Sequence, residues 1–167
     1  MKNLLISACL LLSLTVPAWA QGGPKLGVVD LGRVMDQSPQ AEEARRALEA
    51  EFAPREKALV EKQKKLKELE ERLLRDEAIL SASEKDRLQQ EALRLRREIK
   101  REQEAFQDDL NFKRNQALER IQRKVLETVR AFAQEEGFDL LFADGVIYAS
   151  PRMDVTEAVL ERLRKAR

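Results

Sequence analysis

Between Ser38 and Gly137 lie about a hundred residues dominated by Ala, Leu, Glu, Gln, Lys and Arg, with one proline, Pro54, beyond the Pro39 that follows Ser38, and no internal glycine. These side chains lose the least freedom in a helix, so a stretch of this make-up and length folds as long helix or as nothing. Turn signals sit only at its two ends and near the middle, at Ser81-Ala82-Ser83. Ser83 is expected to cap the next helix by accepting from the Asp86 amide, with the Asp86 carboxylate reaching back. The sequence therefore predicts two long helices folded back on each other at about Ser81 to Ser83.

On the ascending helix Phe52, Leu59, Leu66, Leu73 and Leu80 recur every seventh residue, and the descending helix carries Leu88, Ala92, Leu95, Ile99, Phe106 and Leu110. A seven-residue stripe keeps facing one partner only in a left-handed supercoil. Its second seam position is polar, since Arg55, Lys62 and Asp76 stand where a strong zipper carries leucine. The expectation is a thin coiled coil whose arms run roughly 60 Å or more. Pro54 removes an amide donor inside the ascending helix at a cost of about 3 kcal/mol, which predicts a bend or hinge there. Outside the seam, Glu61 with Lys65, Glu68 with Arg72 and Glu71 with Arg75 are spaced for i to i+4 ion pairs on a solvated face.

The chain begins Met1-Lys2-Asn3, continues with an apolar run from Leu4 to Val16, and then reads Pro17-Ala18-Trp19-Ala20. This is the pattern of a cleavable export signal, too short to span a bilayer, and it predicts an exported mature protein. Ile6-Ser7-Ala8-Cys9 superficially matches an acylation site, but the apolar run continues past Cys9. Cleavage after Ala20 removes Cys9, the only cysteine, and with it any disulfide or thiol chemistry. It also removes Lys2, one of 31 basic residues set against 30 acidic ones, and leaves a formally neutral chain. With 37% charged and 5% aromatic residues, the composition suits an exposed helix with a small core.

Around the helical stretch the pattern changes. Leu26 to Leu31 reads as a short strand, apolar on both faces and so covered on both, and Gly32 to Gln37 as a helical turn. Ser38-Pro39 is a helix start, and Gly137 a helix stop with Phe138 folding back toward Phe132 or Ala133. Phe138 to Ala143 and Val146 to Ala149 flank Asp144-Gly145, a strong hairpin signal. Asp154 and Glu157 open a last helix with Val155, Val159, Leu160 and Leu163 on one side. The fold class is thus α+β, mostly α, with a helical hairpin arm on a small β-strand body. We divide it into residues 1–20 as signal, 21–53 with 106–167 as the body, and 54–105 as the arm.

No histidine occurs anywhere, and no cysteine follows the signal, so the commonest general base, thiol nucleophile and zinc ligands are missing. Adjacent carboxylates such as Glu70 with Glu71 point about 100° apart on a helix and enclose nothing. An enzyme is not expected, nor is any cofactor. The basic clusters Lys62, Lys64, Lys65, Lys67 and Arg94, Arg96, Arg97, Lys100, Arg101 are interleaved with glutamate. Export makes nucleic acid an unsuitable partner, while contact with anionic lipid or lipopolysaccharide stays open. Three short strands cannot stand alone, so copies of the chain are expected to pair through Leu26, Val28, Leu141 and Val146 and close a small barrel.

Two stretches carry a resemblance: Leu26-Gly27-Val28-Val29-Asp30-Leu31-Gly32-Arg33-Val34, and the ending Phe138-Asp139-Leu140-Leu141-Phe142-Ala143-Asp144-Gly145-Val146-Ile147-Tyr148-Ala149-Ser150-Pro151. With Ser38-Pro39 and Ala47 to Phe52 they resemble the Skp/OmpH family of periplasmic chaperones. The resemblance implies a trimer with a β-barrel body, three arms around a cavity, unfolded outer-membrane β-barrel proteins as clients, and holding without ATP. Its best-known member is strongly basic, whereas this chain is neutral, and Pro54 interrupts a helix that usually reads through. Within such a cavity Leu66, Leu69, Leu73, Leu95 and Ile99 are the client-facing candidates, each with the plainer alternative of zipping the arm. A competing reading, a rigid periplasmic spacer or adaptor, predicts a membrane anchor or a flanking lipoyl-like domain.

Overall fold

The computed structural model describes residues 23–166; the export signal read at 1–20 lies outside the described residues. The elements follow in the order β1 (Leu26–Val28), α1 (Leu31–Gln37), α2 (Pro39–Arg75), α3 (Ala82–Glu135), β2 (Leu140–Phe142) and α4 (Thr156–Lys165). Helix dominates, as the composition requires. The 54 residues of α3 span about 80 Å and the 37 of α2 about 55 Å, so their packed length far exceeds the body.

Helix ends follow the local chemistry. Ser38 accepts from the Ala41 amide at 3.2 Å, with Pro39 in the first turn of α2. At the other end of the hairpin, Gly137 takes φ +68° and its amide donates to Gln134, while the Phe138 amide donates to Ala133 at 2.9 Å. That pair of bonds is a Schellman motif, and its usual apolar contact is present as Phe138 stacks on Phe132 with centroids 5.8 Å apart.

The tip differs from expectation. α2 ends at Arg75, and the cap of α3 is Ser81 rather than Ser83. Ser81 Oγ accepts from the Glu84 amide at 3.3 Å, and Glu84 accepts from the Ser81 amide at 3.2 Å. A glutamate at the third helical position is long enough to reach back to the cap; from Ser83 the same place falls to the shorter Asp86. Ser81→Ala should lower the stability of the arm by about 1 kcal/mol in thermal melts, with Ser83→Ala nearly silent.

α2 runs through Pro54 as one helix. The hairpin expected around Asp144-Gly145 is also absent. Gly145 takes φ +75°, but among the described residues no non-glycine has positive φ, so Asp144 cannot complete the two-residue turn that folds a strand straight back. β2 instead pairs in parallel with β1, Leu26 to Leu140, Gly27 to Leu141 and Val28 to Phe142, and residues 143–150 leave the sheet as loop. The chain then returns on the other side of β1, where the Val28 amide donates to Met153 at 2.8 Å and the Val155 amide donates to Val28 at 2.9 Å. A side chain at Gly27 would meet Phe138 and Leu141, so this glycine serves close approach. Against expectation, the strand is covered on one face only within the chain, because Leu26 stays exposed and Val28 half-buried.

The core lies where the four helices and the sheet meet: Val29, Val34, Ile121, Val125, Phe132, Val159, Leu160 and Leu163. The amphipathic side read for the last helix supplies the deepest of these, with Val159, Leu160 and Leu163 fully buried.

Candidate functional site

Along the arm, α2 and α3 share a narrow apolar seam. Phe52, Leu59, Leu88, Ala92, Leu95 and Ile99 are buried in it, whereas Leu66 and Leu73 are half-exposed. At its root Phe52 and Phe106 meet edge to face, centroids 5.5 Å apart, with the Arg55 guanidinium beside both rings and bonded to Asp109 at 2.9 Å. Two of the three polar seam positions are therefore satisfied across the hairpin, for Lys62 likewise donates to both Glu98 and Glu102, while Asp76 pairs with Arg72 and Arg75 of α2.

Further pairs cross from helix to helix, Glu51 with Lys113 at 3.1 Å, Lys65 with Glu91 at 3.6 Å and Glu70 with Arg96, while Glu77 in the tip turn pairs with Lys85 of α3 at 2.6 Å. The i to i+4 pairs predicted from Glu61, Glu68 and Glu71 are not the ones formed; Lys65 turns to Glu91, and Arg72 and Arg75 to Asp76. The facing helix and the helix end offer these cations closer partners than their own helical face does. Exposed pairs contribute little singly. Together they fix register, because a slip of four residues would set Glu51 against Asp109 or Arg55 against Lys113.

Hydrogen bonds that it donates to Glu102 and then Glu98 raise the Lys62 ammonium above its ordinary value. Lys62 in turn holds Glu98 below the usual carboxylate range, as Lys85 does Glu77 and Ser81 does Glu84. A carboxylate lowered on folding contributes stability above its unfolded value near 4.5, and that stability is lost as pH falls through the folded value. The raised lysine contributes below its unfolded value of 10.5 and loses its share as pH rises through the folded one. The melting temperature of the arm should thus stay level from pH 9 to 5 and fall below 4.5, read by circular dichroism; a level profile down to pH 3 would count against the ladder.

Nearer the body the seam opens. Ala41, Ala44, Ala53 and Ala117 stand where larger side chains would close it, and a trough of about 480 Å³ remains between α2 and α3, with Leu48, Leu110 and Leu118 also in its wall. Sequence reasoning missed it, because an alanine in a helix reads as a helix former before it reads as a gap. The signal available was alanine on the inward stripe near Pro54.

The sequence-chosen residues divide. Leu95 and Ile99, 8% and 6% exposed, offer almost nothing to an outside molecule, while Leu66, Leu69 and Leu73 are half-buried along the arm. On the body, Leu26 and Val146 are exposed and Val28 and Leu141 half-buried. Leu140, Phe142, Ile147 and Tyr148 are exposed beside them, Ile147 completely. Five of the nine cations in the basic clusters are paired within the arm, but Lys64, Arg94, Arg97 and Arg101 make no ion pair among the described residues. No helix among the described residues is long and apolar enough to cross a membrane.

Comparison with known proteins adds relatives of the whole chain. It is 28% identical over 165 residues to a protein named Chaperone protein Skp from Photorhabdus luminescens, covering 98% of this chain and 100% of the relative. The same name, identity and coverage hold for a protein of Pectobacterium atrosepticum. A solved structure from Caulobacter crescentus, described as a putative outer membrane chaperone (OmpH-like), superposes with a TM-score of 0.75 at 16% identity over 86% of each chain, a likeness of fold. The sequence profile of the family described as Outer membrane protein (OmpH-like) matches residues 25–163, nearly the whole described body and arm. The chain belongs to the OmpH-like outer membrane protein family.

Proposed function

We propose that the mature chain is a periplasmic holdase, not an enzyme, which binds unfolded outer-membrane β-barrel proteins between helical arms without ATP and keeps them from aggregating. The observation that carries this reading is the arm itself: a helical hairpin far longer than its body, held by a thin seam and leaving Leu66, Leu69 and Leu73 half-exposed. Full-length similarity to proteins named as chaperones supports it. An unfolded barrel exposes alternating apolar side chains and unpaired backbone, and many weak apolar contacts hold such a chain without trapping it.

The β body is the assembly surface in this reading. β1 and β2 make a sheet of two short strands, and Leu26, Leu140, Phe142 and Val146 stand exposed around it. Strand pairing between copies would cover them, and a closed ring of three would set the arms around a shared cavity. Pro54, at the root, serves as the bend or hinge from which residues 54–105 swing. Anionic lipid headgroups are a second partner, favoured by the unpaired Arg94, Arg97 and Arg101.

Diluting a urea-unfolded barrel protein into buffer, with and without this protein and without nucleotide, tests the reading by light scattering. Suppression near one client per trimer is expected. No suppression at severalfold excess, or a monomer in sedimentation equilibrium, would sink it.

A further inference from the structure

We infer that the trough at the root of the arm is a client site, which seats the apolar side chains of one extended strand of the unfolded barrel protein; this rests on the holdase reading above. The trough lies between Ala41 to Glu56 of α2 and Phe106 to Ile121 of α3. Sixteen helical residues make a channel of about 22 Å, the length of some seven extended residues, of which three or four point to one face. A volume of about 480 Å³ accepts a few side chains of this kind.

The rim narrows the chemistry. Asp36 of α1, Glu49, Glu56 and Arg114 border the trough and make no ion pair among the described residues, so both signs of charge, with acid in excess, are free beside an apolar floor. A phosphate-rich partner would meet repulsion from the glutamates. A barrel strand, whose apolar residues alternate with polar ones of either sign, fits floor and rim together. Leu118 is 48% exposed in the wall, an apolar surface that none of the described residues covers.

The trough is tested with the full mature chain and a urea-unfolded barrel protein. Leu118→Gln removes a wall contact at an exposed position, and Ala44→Leu fills the trough from a half-buried one. Both should leave the melting temperature and sedimentation mass of the parent in place and raise the amount needed for half-suppression about tenfold, the value of one lost leucine contact. A benzophenone side chain at position 118 should cross-link to the client. Unchanged suppression by both variants while the parent holds the client, or cross-linking of position 118 only to another copy, would overturn the trough and leave the holdase reading standing. A parent that suppresses nothing would remove both.

Discussion

Val29→Asp is expected to leave the body unfolded. Val29 is 1% exposed at the end of β1, packed in the core with Val34, Val159 and Leu160, and its amide donates to Phe142 at 2.9 Å. A carboxylate there loses its water with no cation in the surrounding cluster, a penalty of several kcal/mol whether it stays charged or takes up a proton. Domains of this size have about 5–15 kcal/mol in total, so one such change consumes a large part of it. Thermal and urea unfolding should show the cooperative transition of the body gone. The neighbouring Val28→Asp should be milder for folding and stronger for assembly, because Val28 is half-buried beside the exposed sheet residues. A Val29→Asp protein melting within about 5 °C of the parent would mean that the strand end is open to water.

Phe52→Ala should free the root of the arm while the body stays folded. Phe52 is buried against Phe106, and Arg55 lies beside both rings with its far side on Asp109. Removing a buried phenylalanine costs about 3–5 kcal/mol, and here it also enlarges the trough and strips Arg55 of an aromatic neighbour. The residue stands two positions before Pro54, where α2 already lacks one helical hydrogen bond, so the clasp is the packing that carries the helix across its weakest turn. Hydrogen exchange should show faster amides through residues 50–60 and 102–110, with protection in α4 retained. Equal loss in α4 would mean that arm and body unfold as one unit.

Local rules sufficed wherever the determining atoms lie within one helical turn. Ser38-Pro39 starts a helix, and Gly137 with Phe138 ends one, through bonds that span three to five residues. The seven-residue stripe named the seam, because period alone decides which face of a helix can be covered. The buried side of the last helix followed from the same spacing. The two families of exposed apolar residues, on the arm and on the body, were also legible as positions, though not as surfaces.

What only the tertiary structure decided are the choices among competing partners. Asp144-Gly145 is a hairpin signal in isolation, but β1 lies beside β2 and the chain returns to bridge Val28, so the local turn yields to a parallel pairing more than a hundred residues apart. Lys65 could reach Glu61 on its own helix or Glu91 on the next, and packing chose the second. Leu95 and Leu66 are equivalent as letters on a stripe; the facing helix buries one and leaves the other half-open. The alanines at the root read as helix formers until two helices bring them together, and a trough exists only between surfaces that one sequence cannot place.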